Sequence, residues 1–274
     1  MRHPMAEKRV VYEIPNMTSA TVRDVEYRRD GETSLTMRVY RAADAAPGVL
    51  QPAVVLVLGY SDLGAVAMLG CRLSEMEVYV SWSQLLAASG MTAVTYVTGT
   101  DPATDTRGVL AHLREHGAGL GIDCERVAVM TFSGNVPNAL SLLIDPGAIP
   151  IRSAALLCGF MLDIDGSTGV AAGAARWRFV NPTTGKTIDD LPGETPLFIA
   201  RAGRDENPGV NQTIDAFVGA ALQRNLPLTL VNHPTGPHAF DILEDSHASR
   251  TIIRQVLEFF RATLVEDSTV ARSV

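Results

Sequence analysis

Residues 127–144 read VAVMTFSGNVPNALSLLI, and this stretch decides the fold. Val127–Thr131 is a short and nearly continuous apolar run, which is typical of a strand buried on both faces of a sheet. From Asn135 to Ile144 the pattern becomes that of a helix, so Ser133 stands in the turn between them. A sharp strand-to-helix turn lifts a hydroxyl above the carboxyl edge of the sheet and directs the N–H groups of the helix start at any anion formed beside it.

The rest of the chain repeats this alternation of short apolar runs and longer helical patterns. Further strands are predicted at Ala53–Leu58, Met91–Tyr96, Ala154–Leu157, Leu197–Ala200 and Leu228–Val231, and helices at Glu75–Ser89, Thr104–Leu120, Asn211–Arg224 and Ser246–Leu264. Two earlier strands, Thr21–Arg28 and Thr36–Tyr40, alternate polar and apolar residues around Asp30-Gly31 and indicate an antiparallel pair. The sequence therefore predicts an α/β fold, with a mostly parallel central sheet, an antiparallel N-terminal strand pair and helices on both faces.

We expect one domain over residues 1–274, with frayed ends at 1–9 and 266–274. Segment 163–196 interrupts the alternation because it is rich in Gly, Ala, Thr and Pro, with Trp177 and Phe179 near its centre. It lies between two predicted strands. The segment is either a small cap or lid over the strand ends or a long irregular surface connection.

Composition narrows the class of function. A net charge of −7 argues against a nucleic-acid partner, since binding phosphates needs a basic face. The N-terminus lacks the apolar core of a signal peptide, and no apolar run reaches the roughly 18 residues of a membrane span, so we expect a cytoplasmic protein without a membrane partner. Cys71, Cys124 and Cys158 are scattered without zinc-ligand spacing, and we expect no metal and no organic cofactor.

Two further polar residues follow predicted strands. Asp205 lies in the loop after the strand that ends near Ala202, and His238 lies in the loop after Leu228–Val231. The chain order serine, aspartate, histidine, each in a loop after a separate strand, is the order of the triad of an α/β-hydrolase. We therefore expect Ser133 to act as nucleophile, His238 as base and Asp205 as the acid that orients the base.

Other residues compete for two of these roles. Glu206 could replace Asp205 as the acid, and Asp163 or Asp165 could do so from the end of the preceding strand. His233 shares the loop of His238, but Pro234 follows it and it sits too near the strand end to reach the nucleophile easily. His112 and His116 are four residues apart on a helical pattern, but no H-E-x-x-H motif completes a metal site, so a solvated helix face is the better interpretation.

The motifs Phe132-Ser133-Gly134, Ala202-Gly203-Arg204-Asp205 and Gly236-Pro237-His238-Ala239-Phe240 resemble those of the α/β-hydrolase superfamily, in particular its dienelactone-hydrolase-like and carboxylesterase group. The order of elements fits that fold over roughly residues 20–265. The usual nucleophile motif is G-x-S-x-G, and both flanking glycines are replaced here, by Thr131 and Asn135. Dienelactone hydrolase itself uses a cysteine, so the serine at 133 favours a general ester hydrolase.

The resemblance also implies where the oxyanion is bound. Leu58-Gly59-Tyr60-Ser61-Asp62 follows the first buried strand and resembles the Gly-Tyr or Gly-Phe oxyanion hole of related esterases and cutinases. The implied donors are the backbone N–H groups of Tyr60 and Gly134, with the Tyr60 ring forming a wall of the acyl pocket. The alternative is that Gly59 and Asp62 simply form a turn.

The expected function is therefore that of a serine carboxylesterase acting on a small-molecule ester through an acyl-enzyme. A thioesterase, lactonase, amidase or peptidase could use the same triad, because the fold does not set the substrate. A third hypothesis is a non-catalytic ligand-binding protein on a hydrolase scaffold, although such proteins usually lose a triad member. The sequence makes no prediction of the oligomeric state.

Overall fold

One sheet of eight strands organises the part of the chain that the computed structural model describes, residues 2–265. The strands are β1 (Thr21–Asp30), β2 (Thr33–Arg41), β3 (Gln51–Leu56), β4 (Thr92–Tyr96), β5 (Ile122–Phe132), β6 (Ile151–Leu157), β7 (Leu197–Arg204) and β8 (Leu228–Pro237). Their order across the sheet is β1-β2-β4-β3-β5-β6-β7-β8. β1 pairs antiparallel with β2 and β2 with β4, and all other neighbours are parallel. The predicted mostly parallel sheet with an antiparallel N-terminal pair is confirmed.

The helices are α1 (Asp62–Leu69), α2 (Glu77–Ala88), α3 (Pro102–His116), α4 (Val136–Ile144), α5 (Gly169–Trp177), α6 (Val210–Gln223), α7 (Phe240–Leu243) and α8 (His247–Leu264). Every residue of β4 is buried, and so are all residues of β3 after Gln51, which requires cover on both faces of the sheet. α8 shows how that cover forms, because its apolar stripe of Ile253, Val256 and Phe260 is fully buried.

The N-terminal segment differs from the expected frayed end. Pro4–Glu7 form a short 3-10 helix in which Ala6 is fully buried. The Arg9 guanidinium lies 2.7 Å from the Glu77 carboxylate, and the Val10 N–H donates to the Ser81 hydroxyl at 3.0 Å. These contacts hold the segment against α2. The other end predicted to fray, 266–274, lies outside the described residues.

Segment 163–196 contains α5 and is attached to the loop that follows β3. Phe179 is buried and packs edge-on against the Tyr60 ring, with 6.0 Å between the ring centroids. The Val180 N–H donates to the Gly59 carbonyl at 2.8 Å. The segment is therefore neither wholly irregular nor separate from the sheet. No helix within residues 2–265 is long and apolar enough to cross a membrane.

Three parallel strands end directly before a polar residue of interest. β5 ends at Phe132, β7 at Arg204 and β8 at Pro237, so the next residues are Ser133, Asp205 and His238. Because the carboxyl ends of parallel strands share one edge of a sheet, this topology brings residues far apart in sequence to a single place.

Candidate active site

Ser133 has the strained backbone of a sharp strand-to-helix turn. Its φ is +55°, in the left-handed region that non-glycine residues seldom occupy. Ser133–Asn135 form a 3-10 turn that leads into α4. A Cβ atom at Gly134 would overlap the Tyr60 hydroxyl and the Phe179 ring, so the tight turn requires glycine here.

The structure brings Ser133, His238 and Asp205 together in one hydrogen-bonded chain. His238 Nε2 lies 2.9 Å from Ser133 Oγ, and His238 Nδ1 lies 2.6 Å from Asp205 Oδ2. The Asp205 side chain is fully covered, whereas 27% of the His238 side chain is exposed. With Nδ1–H donating to the carboxylate, Nε2 is left to accept the proton of the serine hydroxyl.

The surroundings of Asp205 favour its ionised form. Burial raises the pKa of the carboxyl, but the hydrogen bond and charge of His238 and two hydrogen bonds from Asn207 together lower the pKa below its ordinary value. Asn207 donates to Oδ1 from both its backbone and its side-chain nitrogen, each at 2.9 Å. The arrangement therefore presents an anion to the histidine ring and can stabilise an imidazolium.

The competing acids lie elsewhere. The Asp163 carboxylate accepts the N–H groups of Val170 at 2.8 Å and Ala171 at 2.9 Å, and so caps the start of α5. Asp165 and Glu206 are exposed. Within residues 2–265, only Asp205 among the four candidates is hydrogen-bonded to His238.

The other histidines and the cysteines occupy structural or surface positions. His233 is buried, with Nε2 3.2 Å from the Ser249 hydroxyl, because β8 continues past it to Pro237. His112 and His116 contact each other on α3, with 4.5 Å between ring centroids. All three cysteines are free. Across residues 2–265, no group of three or more His, Cys, Asp and Glu side chains is placed to hold a metal ion.

Asn135, which the sequence did not single out as functional, connects the nucleophile turn to the loop after β3. Its Oδ1 accepts the Gly59 N–H at 2.6 Å, while its Nδ2 donates to the Phe132 carbonyl at 2.8 Å and to the Tyr79 hydroxyl at 3.1 Å. A Cβ atom at Gly59 would lie 2.9 Å from the Asn135 Cα, so the two backbones are in close contact. The available sequence signal was the asparagine that replaces the second glycine of G-x-S-x-G.

A second asparagine fixes the same loop. Asn138 is fully buried on α4, and its Nδ2 donates to the Leu58 carbonyl at 2.6 Å and to the Thr106 hydroxyl at 2.9 Å. Among the described residues, the next N–H along the loop, that of Tyr60, has no hydrogen-bond acceptor. A held loop with an available donor beside Ser133 is suited to receive an oxyanion.

A cavity of about 200 Å³ adjoins Ser133 and His238. Most of its lining is apolar and comes from α1, the segment between α1 and α2, the start of α2 and the ends of β5 and β6. It includes Leu69, Leu73, Met76, Val78, Phe132 and Leu157. The Tyr60 ring forms part of the wall, and burial raises the pKa of its hydroxyl to about 12. The wall also contains one carboxyl group outside the hydrogen-bonded chain, that of Asp241.

Comparison with known proteins places the fold among esterases. No protein-family model and no curated protein sequence matches the chain. Among solved structures, a thermophilic esterase from the planctomycete Thermogutta terrifontis superposes with a TM-score of 0.70 at 18% identity, covering 92% of this chain and 96% of that one. A thermostable esterase from Pseudomonas putida gives 0.70 at 15% identity, covering 92% and 86%. A bacterial heroin esterase gives 0.69 at 16% identity, covering 93% and 87%.

These likenesses confirm the α/β-hydrolase fold predicted from the sequence motifs. At such low identity they establish the fold and do not establish the reaction. The closer resemblance to the dienelactone-hydrolase-like group stays a prediction.

Proposed function

We propose that this chain is a serine hydrolase of the carboxylesterase type, with Ser133 as nucleophile, His238 as general base and Asp205 as the orienting acid. The observation that carries the proposal is the continuous hydrogen-bonded chain from Ser133 Oγ through the imidazole to Asp205, at 2.9 and 2.6 Å. The nearby cavity provides room for a substrate, and the structural neighbours are named esterases. The proposed substrate is a small-molecule carboxylic ester.

The first half of the reaction acylates the serine. His238 Nε2 takes the Ser133 proton as Oγ attacks the ester carbonyl carbon, and the carbonyl oxygen becomes an oxyanion. The backbone N–H groups of Tyr60 and Gly134 are the proposed donors to that oxyanion, each worth about 3–4 kcal/mol of barrier. The imidazolium then donates its proton to the departing alcohol as the carbon–oxygen bond breaks.

The second half releases the acid. Water attacks the acyl carbon while His238 removes its proton, and the imidazolium returns a proton to Ser133 Oγ as the acyl–serine bond breaks. Asp205 keeps the ring in the required tautomer throughout and stabilises each imidazolium. This sequence needs no metal and no organic cofactor.

A thioesterase, lactonase, amidase or peptidase could use the same three residues. The carboxylic ester ranks first as substrate because the structural neighbours are named esterases. A non-catalytic role is less favoured, since all three members of the chain are present and in contact. We further propose one domain over the whole chain and, from the sequence, a cytoplasmic location.

The test is hydrolysis of p-nitrophenyl acetate by the wild-type protein and by Ser133→Ala. The substitution removes one hydroxyl, and alanine must adopt the same left-handed backbone conformation as the serine. The backbone strain is therefore similar, and the circular dichroism spectrum should not change. We expect kcat to fall by about 10⁴-fold or more, because the nucleophile is lost. Turnover by Ser133→Ala at near the wild-type rate would show that Ser133 is not the nucleophile.

A further inference from the structure

The cavity beside Ser133 is formed mainly by apolar and aromatic groups. Among the described residues that line it, none is a lysine or an arginine, and His238 is present as the neutral base when the substrate enters. A carboxylate that entered this space would lose its hydration without gaining a cationic partner. Transferring an ion in this way costs several kcal/mol even after the protein relaxes.

Asp241 makes the same cavity still less suited to anions. It lies three residues after His238, is only 3% exposed and forms part of the cavity wall. One carboxylate oxygen, Oδ2, accepts the indole N–H of the fully buried Trp82 at 2.9 Å. This contact fixes the position of the carboxyl group. Burial raises the pKa of the Asp241 carboxyl, while the Trp82 N–H and the neighbouring His238 favour its ionised form. In that form Asp241 would repel a second carboxylate in the cavity.

The cavity is the better place for the acyl part of an ester than for the alcohol. It touches both Ser133, to which the acyl group becomes bonded, and His238. The alcohol must receive its proton from His238 and then leave, and 27% of that side chain is exposed. A second groove is also lined by His238 but not by Ser133. It is formed by residues that include Asn207 and Pro237, and it provides an exit.

We infer that this enzyme selects uncharged, apolar acyl groups and rejects acyl groups that carry a carboxylate, and that Asp241 is a specificity-determining residue. The inference rests on the proposed ester hydrolysis at Ser133. A cavity of about 150 Å³ lined by apolar side chains can hold a benzene ring. The slightly larger space here, about 200 Å³, therefore fits a benzoyl group or a linear acyl chain of about six carbons.

The experiment compares three p-nitrophenyl esters whose acyl groups share a six-carbon backbone. These are the hexanoate, the monoester of adipic acid, whose far end is a carboxylate, and the corresponding methyl adipate, in which that charge is masked. For the wild-type protein we expect kcat/KM to be about 100-fold lower for the adipate than for the hexanoate, equivalent to roughly 2.7 kcal/mol. Methyl adipate should recover most of the loss, because it restores neutrality without removing the polar atoms.

Two variants test the role of the charges in the cavity wall. Asp241→Asn retains an oxygen that can accept the Trp82 N–H. The variant should lower the hexanoate-to-adipate ratio of kcat/KM about tenfold, because the negative charge is removed. Met76→Lys replaces a flexible apolar side chain of the cavity by a cation. It should lower the same ratio of kcat/KM while Asp241 stays unchanged. The control is Asp105→Asn, since Asp105 is also a buried carboxylate but pairs with Arg28 at 2.7 Å, away from the cavity, and the ratio should not change.

The outcomes distinguish this inference from the proposed function. Adipate turnover within threefold of hexanoate by the wild-type protein would overturn the selectivity. If the wild-type protein shows the selectivity and Asp241→Asn is folded, an unchanged hexanoate-to-adipate ratio of kcat/KM in the variant would overturn the role of Asp241. If Asp241→Asn does not fold, an unchanged ratio in Met76→Lys overturns the electrostatic account. Failure of the wild-type protein to hydrolyse any of the three esters would instead refute the proposed function.

Discussion

Replacing Asn135 by glycine restores the more usual nucleophile motif and should nevertheless impair the enzyme. The substitution removes the Oδ1 acceptor that holds the Gly59 N–H at 2.6 Å. A buried N–H left without a partner costs about 1–3 kcal/mol. The loop can avoid that cost by moving, but it would then carry the Tyr60 N–H away from the proposed oxyanion position.

The size of the effect follows from the donor that is displaced. Loss of one oxyanion-hole donor lowers kcat by about 10²–10³-fold. We therefore expect kcat for p-nitrophenyl acetate to fall about 100-fold in Asn135→Gly, while KM changes by less than threefold, because the donor acts mainly in the transition state. Affinity for an alkylboronic acid, which mimics the tetrahedral intermediate, should fall in parallel with kcat.

Tyr79→Phe is the matched control. It removes the hydroxyl that Asn135 Nδ2 contacts at 3.1 Å but leaves the bond to Gly59. We expect only a few-fold change in kcat, because this variant loses one of the three hydrogen bonds of the asparagine side chain, whereas Asn135→Gly loses all three, including the bond to Gly59. A kcat for Asn135→Gly within threefold of the wild-type value, in a folded protein, would refute the role assigned to this residue.

Asp205→Asn should lower kcat by about 10⁴-fold with little change in KM, because the amide favours the wrong tautomer of His238. The variants Glu206→Gln, Asp163→Asn and Asp165→Asn should keep most of the activity. A steep loss of activity at Asp163 or Asp165, with Asp205→Asn nearly silent, would move the acid to the earlier strand. The lowered pKa of Asp205 means that its carboxylate stabilises the fold above the unfolded pKa of about 3.9 and that this contribution is lost as the pH falls through the lower folded value. The difference in unfolding free energy between wild type and Asp205→Asn should therefore shrink between pH 6 and pH 3 in urea titrations. Activity should be weak in acid, where a protonated His238 cannot accept the serine proton, so full activity at pH 4 would contradict a histidine base. Dialysis against EDTA should leave activity unchanged, and a loss restored by zinc would contradict the serine mechanism.

The sequence predicted the framework because buried parallel strands leave a plain signal. Continuous apolar runs such as Val127–Thr131 have few alternatives to a strand covered on both faces. Since the chain order of these strands also fixed which loops share an edge, the proximity of Ser133, Asp205 and His238 followed from topology. The structure shows the three side chains in contact, with roles that stay a proposal.

Three helices were missed, of which α7 is a single turn of four residues. α1 is apolar on all sides, with Ala65 buried while Leu63 and Met68 are exposed, so its sequence shows no polar face. α5 begins at Gly169 and is rich in alanine and glycine, which reads as a loop. Neither pattern differs enough from that of an irregular connection.

Apart from the proximity of Ser133, Asp205 and His238, side-chain contacts between distant segments could not be predicted. Nothing in the local sequence around Asn135 indicates that its side chain meets Gly59, which lies 76 residues earlier. The same holds for the contact of Trp82 with Asp241 across 159 residues. Such pairings depend on how loops settle at the sheet edge, and single-sequence periodicity carries no information about that.

Covalent labelling with a fluorophosphonate tests the central claim most directly, because this reagent needs an activated serine but no particular ester. After labelling and proteolysis, mass spectrometry should locate a single adduct on Ser133. Ser133→Ala should abolish the adduct, and His238→Ala should slow its formation by several orders of magnitude, since the base is lost. An adduct on another residue, or labelling of Ser133→Ala at the wild-type rate, would contradict the account.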